Sequence, residues 1–170
     1  MNIISRLVNK DLNWNAIILC TLGFWFCSSL FLDFILIPSL SVSGMMNDGG
    51  FANVGFLIFG VFNRIEVICA ALILTVSLVF YFNHQFPEEK QTIFLVFANL
   101  LLLIALAYTY IFIPHMSAWG LSINQFSATT EMPHQMVSWH EGYWILEAIK
   151  YLLVGNLLRW CYNNTCPVKS

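Results

Sequence analysis

Trp139-His140-Glu141-Gly142-Tyr143-Trp144-Ile145-Leu146-Glu147-Ala148-Ile149-Lys150-Tyr151 is the stretch that decides how this chain folds. It opens an apolar run reaching Trp160, long enough to cross a bilayer as a helix, yet it carries His140, Glu141, Glu147 and Lys150. At 3.6 residues per turn, positions 140, 143, 147 and 150 share one helical face. His140, Tyr143, Glu147 and Lys150 therefore form a polar stripe, with Glu141 about 100° away. A charged side chain facing lipid costs several kcal/mol, so the stripe must face protein or water. The rest of the chain is expected to fold around it.

Composition agrees. Of 170 residues, 59% are hydrophobic and only 9% are charged, against roughly 25% charged in soluble domains. Mean hydropathy is +0.74. A single domain of this length cannot bury that much apolar surface in water, so the chain reads as a polytopic membrane protein whose first partner is the lipid bilayer. The seven Lys and Arg residues are scattered, which excludes a nucleic-acid footprint. No Gly-rich phosphate loop, Walker-type sequence or nucleophile motif is present, so enzyme activity has no positive support.

The remaining spans follow from apolar runs and their punctuation. Residues 16–37 form a run of 22 residues, about 33 Å as a helix. It is too long for a signal-peptide core and reads as a retained anchor, with Asp33 interrupting its far end. A second helix is expected over 51–82, and His84 to Gln91 forms a charged turn around Pro87. A third span covers 92–113, with Tyr108 and Tyr110 as interfacial anchors and Pro114 as its stop. His115 to Ser138 reads either as a short interfacial helix bearing Met116, Trp119, Leu121, Ile123 and Phe126, or as an irregular lid. The fourth span is 139–160. Fold class is thus all-α, a four-helix transmembrane bundle.

Basic residues set its orientation. Outside the spans, Arg6, Lys10, Lys90, Arg159 and Lys169 all fall on one side of an alternating bundle, and the loops at 39–50 and 114–138 contain none. The positive-inside rule then places both termini in the cytoplasm or stroma (N-in, C-in). A bacterial inner or thylakoid membrane is the expected setting. Of five cysteines, Cys20, Cys27 and Cys69 sit in apolar runs, where Cys usually serves as a small hydrophobe. Cys161 and Cys166 are read as reduced thiols in a C-terminal tail, spaced too widely for a Cys-x-x-Cys pair.

In this register the polar groups cluster towards the outer face: Asp33 from the first helix; Asn63, Arg64 and Glu66 from the second; Tyr108, Tyr110 and His115 from the third; and His140, Glu141, Tyr143 and Glu147 from the fourth, with Lys150 nearer the midplane. Glu147 and Lys150 pair at i, i+3, and Arg64 is expected to pair with Asp33, Glu66 or Glu141. The plainest reading is a set of interhelical clamps beneath an outward-opening pocket. Three sharper readings compete with it. One is a pathway for a solute, ion or proton. Another is a b-type haem between His115 and His140. The last is a transition-metal site combining His140 with Glu66, Glu141 or Glu147, although the Glu-x-x-His spacing usual in bundles is missing. The aromatic content (15 Phe, 6 Trp, 6 Tyr) suits packing against lipid or against other membrane-protein subunits.

Several short motifs resemble the four-helix membrane family that includes transmembrane protein 205, described as domain of unknown function 4149. They are Ile37-Pro38 closing an aromatic first span, the Phe-Gly-x-Phe turn at Phe59 to Phe62, and Phe112-Ile113-Pro114-His115-Met116. His140, with Glu147 seven residues later, and Val154-Gly155-Asn156-Leu157 complete the likeness. The chain departs from that family after Pro114 and around His140, where basic residues are usual, and Glu147 stands where an amide is more typical. The resemblance implies a compact four-helix membrane bundle and no catalytic residue.

Overall fold

The computed structural model describes residues 13–43, 51–84, 88–116, 118 and 134–165. Among them there are four helices and no strand. Helix α1 is continuous through Trp14–Phe31, a π-helical turn Leu32–Leu36 and Ile37–Val42. Helix α2 is Phe51–Phe82. Helix α3 runs through Glu88–Ala107 and a second π turn, Tyr108–Phe112, to Met116. Helix α4 is His134–Thr165. Asn13 caps α1, its Oδ1 accepting from the Ala16 N–H at 3.2 Å, and Glu88 and Glu89 complement the positive end of α3.

The prolines explain where the apolar runs mislead. Pro114 was expected to end α3, yet the helix passes through it, as α1 passes through Pro38. Each proline removes one N–H donor and its ring crowds the carbonyl four residues back. In both helices a π turn begins six residues before the proline. The residue just before each proline donates five residues back: Ile37 N–H to the Leu32 carbonyl, and Ile113 N–H to the Tyr108 carbonyl. The wider turn absorbs the lost bond without breaking the helix.

Each helix packs on its two sequence or end neighbours: α1 on α2 and α4, and α3 on α2 and α4. Among the described residues, the diagonal pairs α1/α3 and α2/α4 have no close backbone approach. Directions follow from side-chain pairs. Phe97 stacks on Trp160 at 5.6 Å while Phe112 meets Trp139 edge-on at 5.4 Å, so α3 and α4 are antiparallel. Phe59 meets Tyr143, and Glu66 meets Lys150, so α2 and α4 run parallel across the diagonal. A buried Gln91 Nε2 donates to the Phe80 carbonyl at 3.5 Å and fixes the α2–α3 hairpin. His84, which follows α2, takes a left-handed conformation (φ 50°) at the start of its turn.

The packing is apolar outside and divided within. Phe34, Leu57, Ile68, Leu103, Ile145 and Leu152 all point outward and are exposed. Towards the end carrying the α2–α3 turn, the interior is hydrocarbon: Ile18, Leu22, Ile73, Phe80, Phe94 and Leu157. From mid-length towards the other end it holds Glu66, Asn63, Glu147, Lys150, Asp33 and Tyr108, each at most 5% exposed. Three segments, Trp14–Leu40, Val54–Phe82 and Glu88–Met116, are long and apolar enough to cross a membrane. Helix α4 has the length, but its polar residues lower its average hydropathy below theirs.

A buried ion-pair network as candidate functional site

Lys150 is the centre of the interior. Its Nζ lies 2.5 Å from Glu147 Oε1 on its own helix and 2.5 Å from Glu66 Oε1 on α2. Three rings surround the ammonium, with centroids 5.4 Å (Tyr108), 5.7 Å (Tyr151) and 6.0 Å (Trp25) away. Such faces add cation–π attraction to the two ion pairs where water is excluded.

Every helix contributes to this centre. From α1, Trp25 Nε1 donates to Glu66 Oε1 at 2.8 Å, and Ser29 Oγ donates more weakly to the same oxygen at 3.4 Å. From α3, the Tyr108 hydroxyl donates to Glu147 Oε2 at 2.9 Å. From α4, the Tyr151 hydroxyl donates to Asp33 Oδ2 on α1 at 2.7 Å. Thr109 Oγ1 reaches the Asn63 carbonyl at 3.4 Å, tying α3 to α2. Both π turns begin at this network: Asp33 and Tyr108 are the buried polar residues of their respective turns.

The i, i+3 pairing of Glu147 with Lys150 is present, and the polar stripe faces inward as its spacing implied. Tyr143 is buried with it and His140 is half-buried. Arg64 was expected to pair with Asp33, Glu66 or Glu141, and that pairing does not form. Arg64 and Glu141 are exposed, and it is Lys150 that pairs with Glu66 and Glu147. Arg64 sits next to Asn63 but about 100° round the helix, outside the buried face. Lys150 takes the cation's place. Tyr108 is no interfacial anchor; it is fully buried, whereas Tyr110 is 72% exposed.

Depth differs from expectation for Glu66, which lies about halfway along its 32-residue helix, level with Lys150, itself midway along α4 as expected. Helix α4 begins and ends several residues beyond the apolar run that marked it. The same extension places Cys161 inside α4 as a buried residue, not in a tail. Arg6, Lys10, Lys169, Cys166, and Trp119, Leu121, Ile123 and Phe126 of the expected interfacial helix lie outside the described residues. His115 is exposed, its ring stacked on Trp139 at 4.8 Å and its Nδ1 2.7 Å from the Ile111 carbonyl. The metal reading combines His140 with Glu66, Glu141 or Glu147. Among the described residues, no three His, Cys, Asp or Glu side chains are grouped to hold an ion, and Glu66 and Glu147 already engage Lys150.

Trp25, Ser29 and Tyr151 escaped the sequence reading. Trp25, Ser29 and Asp33 recur at i, i+4, i+8, a one-faced spacing that marks the inward side of α1. Tyr151 simply follows Lys150.

Two groups in the network stand without partners. Both amide atoms of Asn63, fully buried, and Oε2 of Glu66 make no hydrogen bond. Asn63 lies on the inward face of α2 between Phe59, which touches Tyr143, and Glu66, which touches Lys150. It is therefore level with Glu147. No protein-family model, curated protein or solved structure matches the chain.

Proposed function

We propose that this chain is a non-enzymatic, four-span membrane protein whose buried charged network organises the bundle for assembly with other membrane subunits or for binding a small ligand. The observation that carries this reading is Lys150 held between Glu147 and Glu66, drawing α4 and α2 together across the interior. Lipid supplies no hydrophobic drive between helices, so hydrogen bonds and close packing must define the arrangement. The inward polar face of α4 and its exposed Trp144, Ile145, Ile149 and Leu152 support reading it as a fourth span despite its modest average hydropathy. The one-sided basic residues support N-in, C-in orientation.

The test is Lys150→Met in the full chain, purified in mild detergent beside the parent. Loss of the monodisperse species and a lower melting temperature are expected, together with loss of any subunit that co-purifies with the parent. A variant that melts and assembles like the parent would refute the organising role.

A further inference from the structure

Arg64 is the cation that the buried network leaves out. It is exposed on α2, two residues from Glu66 and about 160° round the helix from it, at the same mid-length depth. Asp33, Glu66 and Glu147 are buried on the other side, held by Tyr151 and Lys150. A guanidinium facing hydrocarbon partway along a span is costly, and intramembrane charges nearly always meet protein or water.

The α2–α3 hairpin brings two further polar groups to the same outer face. Thr109 Oγ1 reaches the Asn63 carbonyl at 3.4 Å, which sets those two residues level. In an antiparallel pair, one step along each chain from such a contact turns both side chains about 100° towards the same side. Arg64 and Tyr110 are those next residues; they flank the α2–α3 crease at one level, and both are exposed. Asn99 lies three turns down α3 on the line of Tyr110 and is exposed as well. Its Nδ2 bonds back to the Leu95 carbonyl at 2.8 Å, which leaves the amide oxygen to the outside.

What covers this crease must bring a carboxylate level with Arg64 and Tyr110, and a donor about 16 Å deeper for Asn99. A phospholipid offers a phosphate for the first but only acyl chain at the depth of the second. A second copy of this chain, lying parallel, offers no exposed carboxylate at that level among its described residues. The Phe59–Tyr143 and Glu66–Lys150 pairs place its exposed Glu141 two turns, about 10 Å, beyond Arg64.

We propose that the outward crease between α2 and α3 docks a transmembrane helix of a different subunit, bearing Asp or Glu level with Arg64 and a hydroxyl or amide three turns deeper. The carboxylate accepts from the Arg64 guanidinium and the Tyr110 hydroxyl, and the Asn99 oxygen accepts from the deeper group. This rests on the reading of the chain as a membrane-assembly protein, and names the face used and the chemistry of the partner.

The probe is a synthetic Leu/Ala transmembrane helix with one Glu placed level with Arg64 and one Ser three turns deeper. It is mixed with the full chain in phosphatidylcholine liposomes, and association is read by energy transfer. The parent should bind it about tenfold more tightly than the same peptide with Gln for Glu, the scale of one interhelical polar contact in a bilayer. Arg64→Gln should lose that preference while melting like the parent, and Tyr110→Phe and Asn99→Leu should each weaken binding several-fold. Equal binding of the Glu and Gln peptides overturns the proposal, as does a preference that survives Arg64→Gln. Displacement of the Glu peptide by phosphatidylglycerol would make lipid the occupant, and self-association abolished by Arg64→Gln would make it a second copy; either result overturns the proposal too. Loss of the preference beside a destabilised Lys150→Met removes this face and leaves the organising centre; a preserved preference beside an unperturbed Lys150→Met melt does the reverse.

Discussion

Lys150 on α4 and Glu66 on α2 meet at 2.5 Å across the diagonal of the bundle, although the two helices are not neighbours. Only a long side chain spans that gap, and Lys150 extends across the interior to do so. The pair therefore sets the spacing of all four helices and not of one interface. A buried pair of this kind is weak evidence for net stability, since desolvation offsets much of the attraction, but breaking it by removing one member is costly.

Removing Lys150 leaves Glu66 and Glu147 facing each other without a cation. Lys150→Met should destabilise the chain by about 3–5 kcal/mol. Adding Glu66→Gln should recover part of this, with a coupling of about 0.5–3 kcal/mol. Reversible unfolding in detergent measures the cycle; strictly additive losses would mean that the diagonal contact carries no energy.

The tyrosine hydroxyls that satisfy the carboxylates should matter where those of exposed tyrosines do not. Tyr108→Phe leaves Glu147 Oε2 without its donor, and Tyr151→Phe does the same to Asp33 Oδ2. Each should cost about 1–3 kcal/mol. Tyr110→Phe, on the outer surface, should stay within about 0.5 kcal/mol. Equal melting temperatures for all three would contradict the network.

Trp25→Phe keeps an aromatic ring but deletes the indole N–H that donates to Glu66 Oε1 at 2.8 Å. A loss of about 1–3 kcal/mol is expected, with the intrinsic tryptophan fluorescence of the folded state changed as well. A Phe variant as stable as the parent would show that Ser29 and Lys150 suffice for Glu66.

Arg64 is the counter-example. It was the natural partner for the carboxylates by charge, yet it lies outside the buried face. Arg64→Gln should change stability by no more than about 0.5 kcal/mol. A large loss in the same unfolding assay would place the guanidinium in the network after all.

Orientation is open to a labelling test in cells. With native cysteines replaced, a cysteine at Ser43 should react with an impermeant maleimide from outside, and cysteines at His84 and Asn163 only after permeabilisation. The opposite pattern would reverse the topology read from the basic residues.

What the sequence alone determined is the class of fold and the inward face of α4. Apolar runs of bilayer length fix helices whatever packs on them, and the residues at 143, 147 and 150 must share a face because helical geometry is local. Which carboxylate each donor meets was decided only by tertiary structure. Arg64 and Lys150 are both cations in apolar helices, and nothing local distinguishes the one that is buried; the difference is helix rotation, set by packing among all four. The prolines teach the same lesson. A proline in an apolar run reads as a stop, but in α1 and α3 the π turns absorb it, and Asp33 and Tyr108 in those turns meet the Tyr151 hydroxyl and the Glu147 carboxyl, more than a hundred and nearly forty residues away in sequence. Those partners, being distant along the chain, leave no local trace.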